Sequence, residues 1–277
     1  LVRKSRWRLG VTISLNGGRS SGEGFGMAFV VLVSGLVPYD SGKTWFTVGA
    51  GLAARARGLR VAVYKPVAAH SLWYSPRTVR RSLVLGRLVG NDILLYYERG
   101  LAGDVDVSNP VAISTAPPDP ERFERVDEYM ADLEDVARIA VISRVYRCCE
   151  GRVSHYVHLE NVERLSPGAR RVVERLRERL SAEPESFSGL ARFLASEDAG
   201  ENLECCLERL GGSSDVVFVE SFNDALTPYG SLLDKVGLVV LVAPGRVYVY
   251  RDVEGVREAA AKAVGVLGQE GFRSKNI

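Results

Sequence analysis

An apolar run at 29–34, FVVLVS, breaks at Gly35, passes Pro38 and reaches Ser41-Gly42-Lys43-Thr44, where a helix-like pattern begins. A strand that ends in such a loop and then opens a helix aims the helix N-terminus, with its unpaired amides, at whatever lies above the loop. That arrangement suits an anion. The phosphate loop G-x-x-x-x-G-K-[ST] wraps backbone amides around one phosphate, extends a lysine to the terminal phosphates and offers a hydroxyl to magnesium. Gly42, Lys43 and Thr44 supply its last three positions. Its first glycine would fall at Val37, whereas the nearest upstream glycine, Gly35, stands two residues earlier. The strand, loop and helix context still reads as phosphate binding, with Asp40, Ser41, Gly42, Lys43, Thr44 and Trp45 along the anion. A loop that handles a magnesium nucleotide also needs an acidic group at the end of a neighbouring buried strand. Glu220, which closes DVVFVE (215–220), fits that position.

Apolar strand patterns at 29–34 and 60–64 alternate with helical patterns at about 43–57 and 77–97. DVVFVE and VGLVVLVA (236–243) read as buried central strands, and 254–267 reads as a closing amphipathic helix. The alternation predicts an α/β fold: a three-layer, mostly parallel sheet with helices on both faces, of the P-loop NTPase type. RIAVISRVYRCCEGRVSHYVHLENV (138–162) reads differently, as two strands around a Glu-Gly turn, with charged helices after it at about 167–181, 187–196 and 200–210. We therefore divide the chain into a nucleotide-binding body, 27–120 and 213–277, and an insertion, 121–212. Residues 1–26, basic and then Gly/Ser-rich, read as a flexible tail, and Met27 is the candidate native start. GEGFG at 22–26 precedes a strand, the wrong context for a dinucleotide fingerprint.

A chain of 277 residues, 46% apolar and 25% charged, can bury a sizeable core. Its net charge of +2 offers no concentrated basic face, so nucleic acid is not an expected partner. No apolar run reaches the roughly 18–20 residues of a membrane span, and LGVTISL is too short for a secretory leader. A cytoplasmic protein without membrane contact is expected. Only six of the 36 basic residues are lysines, and two of them, Lys43 and Lys65, sit in motifs. The cysteines form two adjacent pairs, 148–149 and 205–206, without the spacing of a zinc site. Buried free thiols are expected, or a cross-pair disulfide if the two segments meet. His155 and His158, three apart on the proposed strand, face opposite ways and do not chelate one metal.

Five short stretches occur in order: SGKT (41–44), YKPVAAH (64–70), NDILL (91–95), NPVAISTAPPDP (109–120) and VFVESFND (217–224). This series resembles the dethiobiotin synthetase family over about 27–120 and 213–267. There a phosphate loop is followed by Y-K-P-V-A-S-G, an aspartate near S-D-A-L, an N-P segment and a strand ending V-E-G-A-G-G. The resemblance implies that Lys43 and Lys65 contact the terminal phosphates of ATP, and that Thr44, Asp92 and Glu220 surround Mg²⁺. It also implies a small-molecule substrate and a homodimer. Two lysines and a divalent ion would neutralise charge on a transferring phosphoryl group. Departures from the pattern fall on the substrate side. Ala69 and His70 replace S-G, and Ser221-Phe222-Asn223-Asp224 replace G-A-G-G, which makes Ala69, His70, Asn223 and Asp224 the candidate substrate residues. Asn223 and Asp224 suit a helix N-cap equally well. The loop also holds six residues between Gly35 and Gly42 where the family has five. Pro244 and Gly245, in APGRV (243–247), follow a central strand at the edge where open α/β sheets bind ligands and are candidates to border the purine.

The implied activity is ATP-dependent phosphorylation of a carboxylate or carbamate, followed by attack of an amine. A nucleotide-dependent switch or assembly ATPase is the alternative. Many such switches carry a lysine early in the loop, but positions 36–38 are Leu, Val and Pro. A polynucleotide 5′-kinase is prompted by DSGKT and opposed by the charge balance and the YKPV strand.

Overall fold

The structure, a computed structural model, describes residues 28–38 and 40–276; the tail expected at 1–26 and the candidate start at Met27 lie outside the described residues. The order begins β1 (Phe29–Gly35), α1 (Lys43–Arg55), β2 (Val61–Tyr64), β3 (Val67–Ser71), α2 (Pro76–Leu85), α3 (Asn91–Glu98), the one-turn α4 (Val105–Ser108) and β4 (Val111–Thr115). It continues with α5 (Val126–Glu134), α6 (Val136–Ile139), β5 (Ala140–Arg147), β6 (Arg152–Val157), α7 (Leu159–Val162), α8 (Pro167–Leu180) and the short β7 (Glu183–Pro184). The last elements are α9 (Phe187–Leu194), α10 (Glu197–Gly211), β8 (Val216–Glu220), β9 (Leu238–Ala243), β10 (Arg246–Tyr250) and α11 (Val253–Leu267).

The fold is mixed α/β, but it holds two five-stranded sheets where a single one was expected. The first runs β10-β9-β1-β8-β2, with β9, β1, β8 and β2 parallel and β10 antiparallel at the edge. The second, β3-β4-β5-β6-β7, is mixed: β4, β5 and β6 pair antiparallel, while β3 and β7 join in parallel. Lys65-Pro66 is the point of division. The Lys65 amide bonds to the Ser108 carbonyl at 2.7 Å, and Pro66, which has no N–H to give β8, accepts from the Val111 amide at 3.1 Å. The chain thereby leaves β8 and takes β4 as its partner. The expected 140–157 hairpin forms as β5 and β6 and pairs with β4, so the 121–212 segment shares a sheet with residues of the first third.

The four parallel strands of the first sheet are buried on both faces, which is why they read as continuous apolar runs. Leu32, Val217 and Val219 face Leu207, Leu210 and Val256 of α10 and α11. Val31, Val33 and Phe218 face Val48 of α1 and Ile93 of α3. The second sheet packs Ile142 and Val157 on Leu176 and Leu180 of α8, and Ile113 and Val145 on Leu190 and Leu203.

The helix expected over 77–97 is two helices. Gly86 ends α2 in the left-handed region at φ 63°, Leu88 and Val89 turn into the core, and Gly90 begins α3. The thiol expectation holds for Cys148 and Cys206, which are buried and free, while Cys149 and Cys205 form a disulfide with Cα atoms 6.3 Å apart. Asn202 brings those segments together: its side-chain oxygen accepts from the Cys148 amide at 2.7 Å and its nitrogen donates to the Tyr146 carbonyl at 2.8 Å. Among the described residues no helix is long and apolar enough to cross a membrane.

Candidate functional site

Parallel strands deliver their carboxyl ends to one edge of a sheet, and that edge holds Gly35 at the end of β1, Lys65 after β2 and Glu220 at the end of β8. Gly42, at φ 91°, turns the chain into α1, whose first turn has neither a side-chain cap nor an acidic residue. Its leading amides therefore have no internal anion to satisfy them. The Lys43 side chain curls back over the loop, where its ammonium donates to the Asn223 carbonyl at 2.7 Å and to Ser41 Oγ at 3.2 Å. Gly35 makes room for it. A Cβ at that position would stand 2.7 Å from both Lys43 Nζ and Ser41 Oγ. The glycine is misplaced for the standard spacing, yet it occupies the one point where the lysine head crosses the backbone.

Beside Lys43 lies a buried polar cluster. Lys65 Nζ contacts Glu220 Oε1 at 2.5 Å and Asp92 Oδ2 at 3.3 Å, and donates to the Ser221 carbonyl at 3.2 Å. Thr44 Oγ1 is 3.2 Å from Glu220 and 3.4 Å from Asp92. The Tyr96 hydroxyl donates to the other Glu220 oxygen. Burial pulls the Lys65 pKa down, but Glu220 and Asp92 outweigh it and hold the ammonium above the usual lysine value. Burial, and then the Lys65 charge, lower the pKa of Lys43. Burial and the adjacent Glu220 push the Tyr96 hydroxyl well up, so it remains a donor. Asn109 fixes the position of Lys65 by donating to its carbonyl at 2.7 Å, and is itself held by Arg144, which pairs with Asp106 at 2.9 Å.

The cluster forms the floor of a cleft of about 1360 Å³. Asp40, Ser41, Gly42, Lys43, Thr44, Trp45, Lys65, Ala69, Asp92, Glu220 and Asn223 all line it, so most of the residues singled out in the sequence meet there. Three do not. Asp224 points away, pairing with Arg273 at 3.4 Å, because Asn223 takes a left-handed φ of 45° and reverses the chain between them. Pro244 and Gly245 form the turn of the β9–β10 hairpin, with Gly245 at φ 73°, and do not line the cleft. Strand β10 is the reason, since its pairing with β9 draws that turn back along the sheet edge.

Sequence reasoning missed Tyr96, Asn109 and Tyr74. Tyr96 was findable: it stands four residues after Asp92, one helical turn along the same face. Tyr74, 84% exposed at the rim, gave no such signal.

His70 is buried on β3, outside the cleft lining but on the wall of the cavity that adjoins it. Its Nε2 is 2.8 Å from Ser114 Oγ, while Nδ1 has no partner. The tautomer with hydrogen on Nε2 leaves only a lone pair unsatisfied. Burial, with nearby Arg144 adding to it against the opposing effect of Asp92, lowers the pKa to about 4 from 6.5. The unfolded chain therefore binds a proton between pH 6.5 and 4 that the folded one refuses, and stability falls as pH drops through that window. His70→Gln is expected to make the pH dependence of unfolding shallower there by about one proton, on the order of 3 kcal/mol in total. Urea titrations at several pH values measure this, and unchanged slopes would place the ring in water.

Comparison with family models, with curated proteins and with solved structures yields no match for this chain.

Among the described residues no group of three or more His, Cys, Asp or Glu is arranged to hold a metal. Mg²⁺ at a phosphate loop does not need one, since it keeps waters and takes phosphate oxygens along with one or two protein groups. The Thr44 hydroxyl between the Asp92 and Glu220 oxygens fits that demand.

Proposed function

We propose that the cleft binds Mg-ATP and transfers its γ-phosphoryl group to a carboxylate or carbamate, as an ATP-dependent ligase does. The observation that carries this reading is the meeting of two lysines, a helix-opening threonine and two carboxylates from four separate elements at one sheet edge. In this reading the α1 amides and Lys43 hold the β- and γ-phosphates, and Lys65 moves from Glu220 towards the γ-oxygens as charge builds on them. Thr44, Asp92 and Glu220 would hold Mg²⁺, which when bound neutralises phosphate charge. The acceptor oxygen attacks phosphorus, the bond to the bridging oxygen breaks, and ADP leaves with the electron pair. An amine then displaces inorganic phosphate from the activated carbon and gives its proton to solvent. Hydrolysis of Mg-ATP should rise when bicarbonate and a responsive amine are supplied together, with phosphate release as the readout. No calorimetric binding of Mg-ATP at millimolar concentration would overturn the proposal.

A further inference from the structure

A second cavity, of about 600 Å³, opens off the cleft and shares with it Ala69, Ser71, Tyr74, Phe222 and Asn223. That volume suits a small organic molecule. Its apolar lining comes largely from the segment after β4: Pro117, Pro118, Tyr129, Leu133, Val136 and Ile139. Lys and Arg are missing from its lining among the described residues, in contrast to the cleft, which Lys43, Lys65, Arg77 and Arg99 border. A phosphate or a polycarboxylate has nothing to neutralise it here, and desolvating one against these walls would be costly. The one charged side chain of the lining is Glu134, at the end of α5, which has no ion-pair partner among the described residues. His70, also on the wall, is neutral above its lowered pKa and adds no positive charge.

We propose that this cavity is the organic-substrate site, and that it selects an amine with an apolar or aromatic body, its ammonium held at Glu134 and the separate group that reacts at its other end, against the wall shared with the cleft. The choice of substrate rests on the phosphoryl-transfer reading; the preference of the cavity for such a molecule does not. Tyr129 and Glu134 of α5, Val136 and Ile139 of α6 and Ala169 of α8 bring the 121–212 segment into this lining, so the specificity is shared between that segment and the β3 and post-β8 residues of the body.

The test compares two probes of one shape and opposite charge, phenethylamine and phenylacetate, by calorimetry and by the fluorescence of Trp73 at the cavity wall. Phenethylamine is expected to bind about fivefold or more tightly than phenylacetate, and Glu134→Gln to erase the difference. Ala169→Phe, which fills the cavity from α8, is expected to weaken phenethylamine by about tenfold or more. Mg-ATP is titrated into the same samples. Amine binding without nucleotide binding keeps the cavity proposal and removes the phosphoryl-transfer reading. Nucleotide binding with no phenethylamine binding, or with phenylacetate bound as tightly, overturns the cavity proposal and leaves the nucleotide reading intact.

Discussion

Lys65→Ala is expected to destabilise the fold by about 3–5 kcal/mol, a drop in melting temperature on the order of 10 °C. Glu220 is 1% exposed, and with the ammonium gone its carboxylate is left buried with only the Tyr96 and Thr44 hydroxyls. Breaking a buried pair costs more than the pair contributes, because the surviving charge has no water to return to. The companion variant Lys65→Ala with Glu220→Gln should therefore recover about 2 kcal/mol or more of the loss. The pH dependence has a definite sign. Because the folded state holds the Lys65 pKa above 10.5, the stability it contributes is present throughout the neutral range and is lost as pH rises past 10.5 through the raised value. The gap between wild type and Lys65→Ala should thus narrow in alkali. Chemical denaturation of the three proteins measures all of this, and a Lys65→Ala penalty no larger than that of a surface substitution would remove the buried pair.

Lys43→Ala should do the reverse. Its ammonium is buried against two uncharged partners, Ser41 Oγ and the Asn223 carbonyl, so alanine relieves a desolvated charge and the melting temperature should hold or rise. If the cleft binds Mg-ATP as proposed, affinity should fall by about tenfold or more, since the charge that would face the terminal phosphates is gone. Stability spent on an uncompensated cation is what a binding site requires before its anion arrives. Gly35→Ala tests the same point without touching the lysine. The added methyl meets Lys43 Nζ and Ser41 Oγ, ends of side chains that can shift, and comes within 3.1 Å of the Asn223 carbonyl, so the fold should survive with a small local adjustment while the lysine head is displaced and, on the proposed reading, nucleotide affinity drops. Gly49→Ala, on α1 with nothing within 4 Å of its Cβ, is the control and should bind nucleotide normally. Equal affinity in Lys43→Ala and wild type would end the phosphate-loop reading.

The loop and its helix were legible because the signal is local. Gly42 must take a positive φ, α1 starts at the lysine, and the apolar run before Gly35 is long enough to be a buried strand. Helices α8, α9 and α10 were placed to within a few residues by periodicity alone. The break between α2 and α3 also left a trace, Gly86 and Gly90 four residues apart, but one surface of the pattern runs on through Leu88 and Val89 and hides it. Strand β10 was missed although its Val-Tyr-Val-Tyr alternation follows a Pro-Gly turn, because a strand exposed along nearly its whole length lacks the apolar run used to find the others.

Local chemistry in the chain thus determined where strands end, where α1 begins and which titratable groups stand at strand termini. Only the tertiary structure decided which of those termini meet. Pairing β1 with β8 and β9 depends on contacts between segments more than a hundred residues apart, and the switch past Pro66 into a second sheet on contacts with Ser108 and Val111, and no periodicity encodes partners at such distances. The same pairing set the fate of each candidate residue. Glu220 and Lys65 emerge on neighbouring parallel strands and form a pair, whereas Gly245 and Asp224, equally suitable as sequence, are carried away by a hairpin and by a left-handed residue.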